Sequence, residues 1–162
     1  MTEPKRISIY TDGACINNPG PGGYGVVLLD GSRRKEMSGG YRRTTNNRME
    51  ILAAVVALEA LKTRCQVTLY SDSQYLVNAV EKGWAKKWRA NGWRRGKDAK
   101  ALNPDLWERL LALCDRHDVR FRWVRGHAGN PENERCDQLA TGAARRPGLP
   151  VDTGYEPKPA GR

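Results

Sequence analysis

Three carboxylates stand in polar frames beside apolar segments: Asp12 in Tyr10-Thr11-Asp12-Gly13, Glu50 in Asn46-Asn47-Arg48-Met49-Glu50, and Asp72 in Tyr70-Ser71-Asp72-Ser73-Gln74-Tyr75. A fourth candidate, Asp137, follows His127 by ten residues. Strand ends and helix starts can gather acids that are far apart in sequence, and gathered carboxylates repel one another unless a cation sits among them. Mg²⁺ is the natural occupant, because it takes oxygen ligands and completes its shell with phosphate. The chemistry implied is metal-assisted work on a phosphate ester.

Such a cluster needs elements to carry it. Ile7-Ser8-Ile9-Tyr10 alternates like a strand, Asn17 to Gly23 is a turn cluster, and Tyr24 to Leu29 reads as a second strand. Asp30-Gly31 is a tight turn, and Arg33 to Arg43 is a third, more exposed strand. Met49 to Leu61 is almost wholly Ala, Leu, Val, Ile and Glu, without Gly or Pro, which predicts a buried helix. Then follow a strand at Val67–Tyr70, a short helix at 74–80, an amphipathic helix at 103–115 and a strand at 119–124. The last helix opens at Asn130-Pro131, with Cys136, Leu139, Ala140, Ala143 and Ala144 at helical spacing and Asp137 beside that stripe. Hairpins predict an antiparallel half and strand-helix-strand crossovers a parallel half, so the expected fold is α/β with a mixed, helix-flanked sheet. In such sheets sites form at the carboxyl ends of parallel strands, where Asp12 and Asp72 are expected. The expected boundaries are one domain over 1–146 and a disordered tail over 147–162, which holds Pro147, Pro150, Pro157 and Pro159 and little to bury.

Composition narrows the partners. A chain of 162 residues with 39% hydrophobic residues can bury a core alone. Its net charge of +10 and pI near 9.8 favour a polyanion, nucleic acid ahead of an anionic membrane. No apolar run approaches the roughly 20 residues of a membrane span, and the charged start does not read as a signal peptide, so a cytoplasmic protein is expected. Cys15, Cys65, Cys114 and Cys136 are widely spaced and read as reduced thiols.

Taken singly, each candidate has a plainer explanation. Asp12 before Gly13 fits a turn, Asn47-x-x-Glu50 a helix cap with an acid at its third position, and Asp72-Ser73 another cap. His127 in a Gly-rich loop fits a solvated histidine, and Asp137 a surface acid. Together with their polar companions they fit these explanations poorly. The set Tyr-Thr-Asp-Gly, Asn-Pro-Gly-Pro-Gly-Gly-Tyr-Gly, Thr-Asn-Asn-Arg-Met-Glu, Ser-Asp-Ser-Gln-Tyr, Trp-Val-Arg-Gly-His and Asn-Glu-Arg-Cys-Asp, in this order over about residues 6 to 144, resembles the bacterial type 1 ribonucleases H.

That resemblance implies a ribonuclease H-like fold, a five-stranded sheet in the order 3-2-1-4-5, and endonucleolytic hydrolysis of the RNA strand of RNA/DNA hybrids to 5′-phosphate and 3′-hydroxyl ends. It implies a monomer lacking the hybrid-binding module that precedes many eukaryotic members. It also implies two Mg²⁺ ions about 4 Å apart, with Mn²⁺ able to substitute, held by Asp12, Glu50, Asp72 and Asp137. His127 would transfer a proton or assist product release, and the residues leave both roles open. Asn18, Asn46, Asn47 and Gln74 match minor-groove contacts, where amides can read the 2′-hydroxyl that DNA lacks. Arg43, Thr45 and Asn103 match a pocket for a DNA-strand phosphate, although Asn103 also suits a helix cap.

Lys82 to Lys100 carries eight cations against one carboxylate, Asp98, a net +7. Solvated charge is the ordinary reading of such a run. Interleaved Trp84, Trp88 and Trp93 beside Lys86, Lys87, Arg94 and Arg95 point instead to a nucleic-acid surface, with at least one tryptophan packing structurally. The run resembles the family's basic protrusion. Two other classes stay open at this stage: a nucleic-acid-binding domain without nuclease activity, and a DNA-cutting nuclease of the same fold.

Overall fold

The computed structural model describes residues 3–97 and 99–156. Five strands, β1 (Lys5–Cys15), β2 (Gly20–Asp30), β3 (Arg33–Thr44), β4 (Cys65–Ser71) and β5 (Asp118–Trp123), form one sheet in the order β3-β2-β1-β4-β5. The β1–β2 and β2–β3 pairs are antiparallel, and β1–β4 and β4–β5 are parallel, so the expected mixed sheet and its order hold. Helices α1 (Asn46–Glu59), α2 (Gln74–Glu81), α3 (Trp84–Ala90), α4 (Pro104–Arg116) and α5 (Pro131–Ala144) cover it. No helix among the described residues is long and apolar enough to cross a membrane.

Ten of the fourteen residues of α1 are buried, which is why its sequence is apolar on every side. It packs on β1 and β2 and against α4, joining Ile7, Ile9, Leu69, Leu110 and Phe121 in the core. On the opposite sheet face, α5 lies on β2 so closely that a Cβ at Gly23 or Gly25 would collide with the helix backbone. These glycines let the backbones approach, and the close approach carries Asn133 and Asp137 toward the sheet's end.

Three expectations need correction. Asp12 does not follow its strand but lies within β1, paired with Gly25. Alternation in the sequence stops at Tyr10, yet pairing with β2 continues to Cys15. The region after Lys82 contains an unforeseen helix, α3, whose lysines masked its helical period. The segment 147–156 is packed rather than disordered, while Pro157–Arg162 lie outside the described residues.

The reason for that packing is electrostatic. Asp152 is buried, and its carboxylate accepts from Arg48 Nε at 2.8 Å, Arg48 Nη2 at 3.1 Å and Thr44 Oγ1 at 2.7 Å. The Arg48 guanidinium, also buried, donates its remaining N–H groups to Asp105 at 2.9 and 2.7 Å and to Asn103 Oδ1 at 3.2 Å. A bidentate, desolvated arginine of this kind is costly to leave unpaired. Asp152→Ala is expected to destabilise the fold by about 3 kcal/mol, softened by the partner that Asp105 still provides; chemical denaturation checks this. Arg48 also holds the Asp105 carboxyl below its usual range. A lowered folded pKa stabilises above the ordinary carboxylate range and is lost as pH falls through the folded value, so this pair contributes to acid unfolding.

Candidate active site

Strand β1 outruns its parallel neighbour. The last β1–β4 pair is Thr11 with Ser71, and beyond it β1 is held by β2 alone. Asp12 is the next residue of β1 and Asp72 the first residue after β4, so the parallel ladder ends in a pair of carboxylates. The third acid comes from α1. Gly13 has no side chain to keep the helix away, since a Cβ there would strike the backbone of Met49 and Glu50. Glu50 therefore lies against β1, and one carboxylate oxygen from each of Asp12, Glu50 and Asp72 falls within 4.8 Å of the others.

The plainer readings of two of these acids fail. Thr45, not Asn47, caps α1, its Oγ1 accepting from Arg48 N at 3.2 Å, so Glu50 is inside the helix and buried. Ser73 caps α2 through Leu76 N at 3.1 Å, which leaves the Asp72 carboxylate uncommitted to capping.

Electrostatics makes the cluster unfavourable as it stands. Burial, followed by the nearby Asp72 charge, pushes the Asp12 carboxyl up to about 8. Glu50 is also raised well above its ordinary value, first by burial and then by Asp12 and Asp72. Glu50 Oε2 is buried with no hydrogen-bond partner. Mutual repulsion, an orphaned buried oxygen and an all-oxygen donor set fit a hard divalent cation. A cation there would replace protons that the acids otherwise retain.

The fourth acid stands slightly apart. Asp137, half-buried on α5, lies outside the three-carboxylate group but close enough to raise Asp12. Asn133, one turn earlier on α5, was not singled out in the sequence. It is buried, and its Nδ2 donates to Asp72 Oδ2 at 3.3 Å. Its signal in the sequence is the Asn-Glu-Arg-Cys-Asp run, which sets an amide one helical turn before the acid. Trp123 Nε1 also donates to the Asp72 carbonyl at 3.1 Å. His127 is exposed, with φ of 56°, next to Gly126, which sits so near Asp72 that a Cβ would lie 3.0 Å from Oδ2. The histidine loop thus borders the cluster.

The amides assigned to the minor groove surround the same end of the sheet. Asn18 Oδ1 accepts from Asn46 N at 3.1 Å, joining the β1–β2 loop to the start of α1. Asn47 and Gln74 are exposed, each in the first turn of its helix, and Asn46 is half-buried. Asn103 stands at the N-cap position of α4 with φ of 62°, but its side chain makes no capping hydrogen bond; its oxygen accepts from Arg48. Arg43 is exposed at the end of β3.

In the basic segment the tryptophans and the cations divide the labour. Trp84, Trp88 and Trp93 are half-buried against the core, and Trp88 stacks on Tyr75 and meets Trp107 edge-on. Trp88 is thereby an anchor of the protrusion rather than a free stacking platform. Lys86, Lys87, Arg94 and Arg95 remain exposed.

Residues 4–145 match the family model described as RNase H. The chain is 72% identical over 151 residues to the Ribonuclease H of Syntrophus aciditrophicus (strain SB), covering 93% of this chain and 87% of that protein. The crystal structure of a type 1 RNase H with the type 2 active-site motif matches with a TM-score of 0.79 at 31% identity, over 89% of this chain and 74% of that one. LC11-RNase H1, crystallised in complex with an RNA/DNA hybrid, matches with a TM-score of 0.61 at 28% identity, over 85% of this chain and 96% of that one. The two alternatives, a domain without nuclease activity and a DNA-cutting nuclease, give way to these matches. With its sheet order and carboxylate cluster, the chain belongs to the RNase H family, metal-dependent endonucleases that hydrolyse the RNA strand of RNA/DNA hybrids.

Proposed function

We propose that Asp12, Glu50, Asp72 and Asp137 hold two Mg²⁺ ions, Mn²⁺ being an acceptable substitute, and that this monomeric, cytoplasmic enzyme cuts the RNA strand of hybrids at that site. The observation that carries this reading is the convergence of three acids around a buried Glu50 oxygen with no hydrogen-bond partner. Bound there, the ions would activate a water and stabilise the departing 3′-oxygen. The protein supplies the rest. Asp12, buried between the other acids, would hold metal together with Glu50, Asp72 and Asp137, and Asn133 orients the Asp72 carboxylate as an outer hydrogen-bond donor does in metal sites.

Strand choice comes from Asn18, Asn46, Asn47 and Gln74, whose amides can both donate to and accept from a 2′-hydroxyl. Arg43, Thr45 and Asn103 receive a phosphate of the DNA strand, and Lys86, Lys87, Arg94 and Arg95 hold the duplex backbone without reading bases, with Trp84 and Trp93 beside them. The catalytic unit corresponds to residues 1–146, with the packed segment that follows as its brace. Labelled hybrid, duplex RNA and duplex DNA, each with and without Mg²⁺, test the reading. Cleavage of the hybrid alone, only with Mg²⁺ and leaving 5′-phosphate ends, is expected; equal cleavage of duplex DNA would overturn it.

His127 borders the cluster without entering it, and its loop suits a proton carrier or an aid to release. His127→Ala is expected to slow turnover by about 10²-fold to 10⁴-fold, because water partly replaces a proton carrier. Metal affinity, followed by calorimetry, should be unchanged. A loss of metal binding would make His127 a ligand instead.

A further inference from the structure

The packed C-terminal segment touches the proposed phosphate pocket from two directions. From one side, Asp152 and Arg48 reach Asn103, since Arg48 Nη1 donates to Asn103 Oδ1 at 3.2 Å. From the other side, Glu156 Oε2 accepts from Arg42 Nε at 3.1 Å and Arg42 Nη2 at 2.8 Å. Its second oxygen, Oε1, lies 3.9 Å from Arg43 Nε. The segment is fastened to the strand that carries these arginines, Arg42 N donating to the Pro150 carbonyl at 2.9 Å. Glu156 is the more buried partner, its side chain 20% exposed against 60% for Arg42 and 54% for Arg43. A carboxylate therefore already binds the Arg42 guanidinium through two hydrogen bonds and stands within ion-pair range of Arg43, a residue of the proposed pocket.

Carboxylate and phosphodiester compete for the same guanidinium geometry. We propose that Glu156 is an intramolecular stand-in for the phosphate, holding Arg42 and Arg43 until a DNA-strand phosphate displaces it. This rests on the reading of Arg43, Thr45 and Asn103 as the phosphate pocket. Arg42 then becomes a substrate-contacting residue beside Arg43. The function of the exchange is selectivity. Any polyanion must displace the carboxylate, and only a strand whose phosphate also reaches Thr45 and Asn103 recovers the loss in full. Glu156 does not touch the carboxylate cluster, so its effect belongs to binding and not to the bond-breaking step.

Glu156→Gln keeps the size of the side chain and removes its charge. Hybrid KM, and hybrid Kd measured with Ca²⁺ in place of Mg²⁺, should fall by about 2-fold to 5-fold at low salt, the range of an exposed ion pair, while kcat holds. The slope of log affinity against log salt should steepen by up to about one unit, because the freed arginines would release counterions on binding. Glu59→Gln is the control. It changes net charge equally, but Glu59 pairs with Arg109 at the far end of α1, about 20 Å along the helix from the pocket. Its effect should be much smaller. Arg43→Ala separates this proposal from the reading beneath it. If that variant leaves KM unchanged, the phosphate pocket itself is wrong. If it raises KM while Glu156→Gln acts no more strongly than Glu59→Gln, the stand-in role alone is overturned. Weaker binding by Glu156→Gln would also overturn it and make Glu156 a brace.

Discussion

Asp12→Asn is expected to lower hybrid cleavage on the order of 10³-fold or more while raising the stability of the metal-free protein increasingly from about pH 4 to about pH 8. Both effects have one cause. Asp12 is buried beside Asp72, and its carboxyl is pushed up to about 8. In the unfolded chain the same group ionises near the ordinary carboxylate range, so the folded state binds the extra proton. The penalty is absent below about pH 4, grows as pH rises, and is complete above about pH 8. Asparagine never ionises and escapes it. Thermal unfolding in chelator should therefore show a gain for the variant that increases from pH 4 to pH 8. Mg²⁺ should reduce that gain by stabilising the parent alone. Near-parental turnover in Mg²⁺ would remove Asp12 from the metal site.

Replacing Lys86, Lys87, Arg94 and Arg95 together by Ala should raise KM strongly and leave kcat nearly unchanged. All four are exposed on a segment whose tryptophans face the core, so the protrusion should fold without them. If each contacts one phosphate, the slope of log affinity against log salt becomes shallower by up to about four units. A solvated charged loop predicts an almost unchanged slope. Hybrid affinity across a salt series, with Ca²⁺ in place of Mg²⁺, decides between the two. A matching series for Trp88→Ala should differ in kind: the ring is packed on Tyr75 and Trp107, so its loss should lower stability by about 3 kcal/mol as well as affinity.

Local chemistry in the sequence determined the mixed sheet, four of its five helices, the basic surface and the acids of the candidate site. Alternation marked the start of β1, turn residues marked both hairpins, and an uninterrupted apolar stretch marked α1, because each is a consequence of residues near one another in the chain. The chain order of the motifs, through its family resemblance, supplied the strand order and the partner. Other features depended on partners far away in sequence and were decided only by tertiary structure. The length of β1 beyond Tyr10 is set by pairing with β2, not by its own alternation. Asn133 becomes part of the site only because Gly23 and Gly25 let α5 lie on β2 and bring its amide to Asp72. The segment after Arg146 has the composition of a disordered chain. Residues 147–156 nevertheless pack against the domain because one buried cation, Arg48, requires the Asp152 carboxylate 104 positions away, a demand that composition does not register.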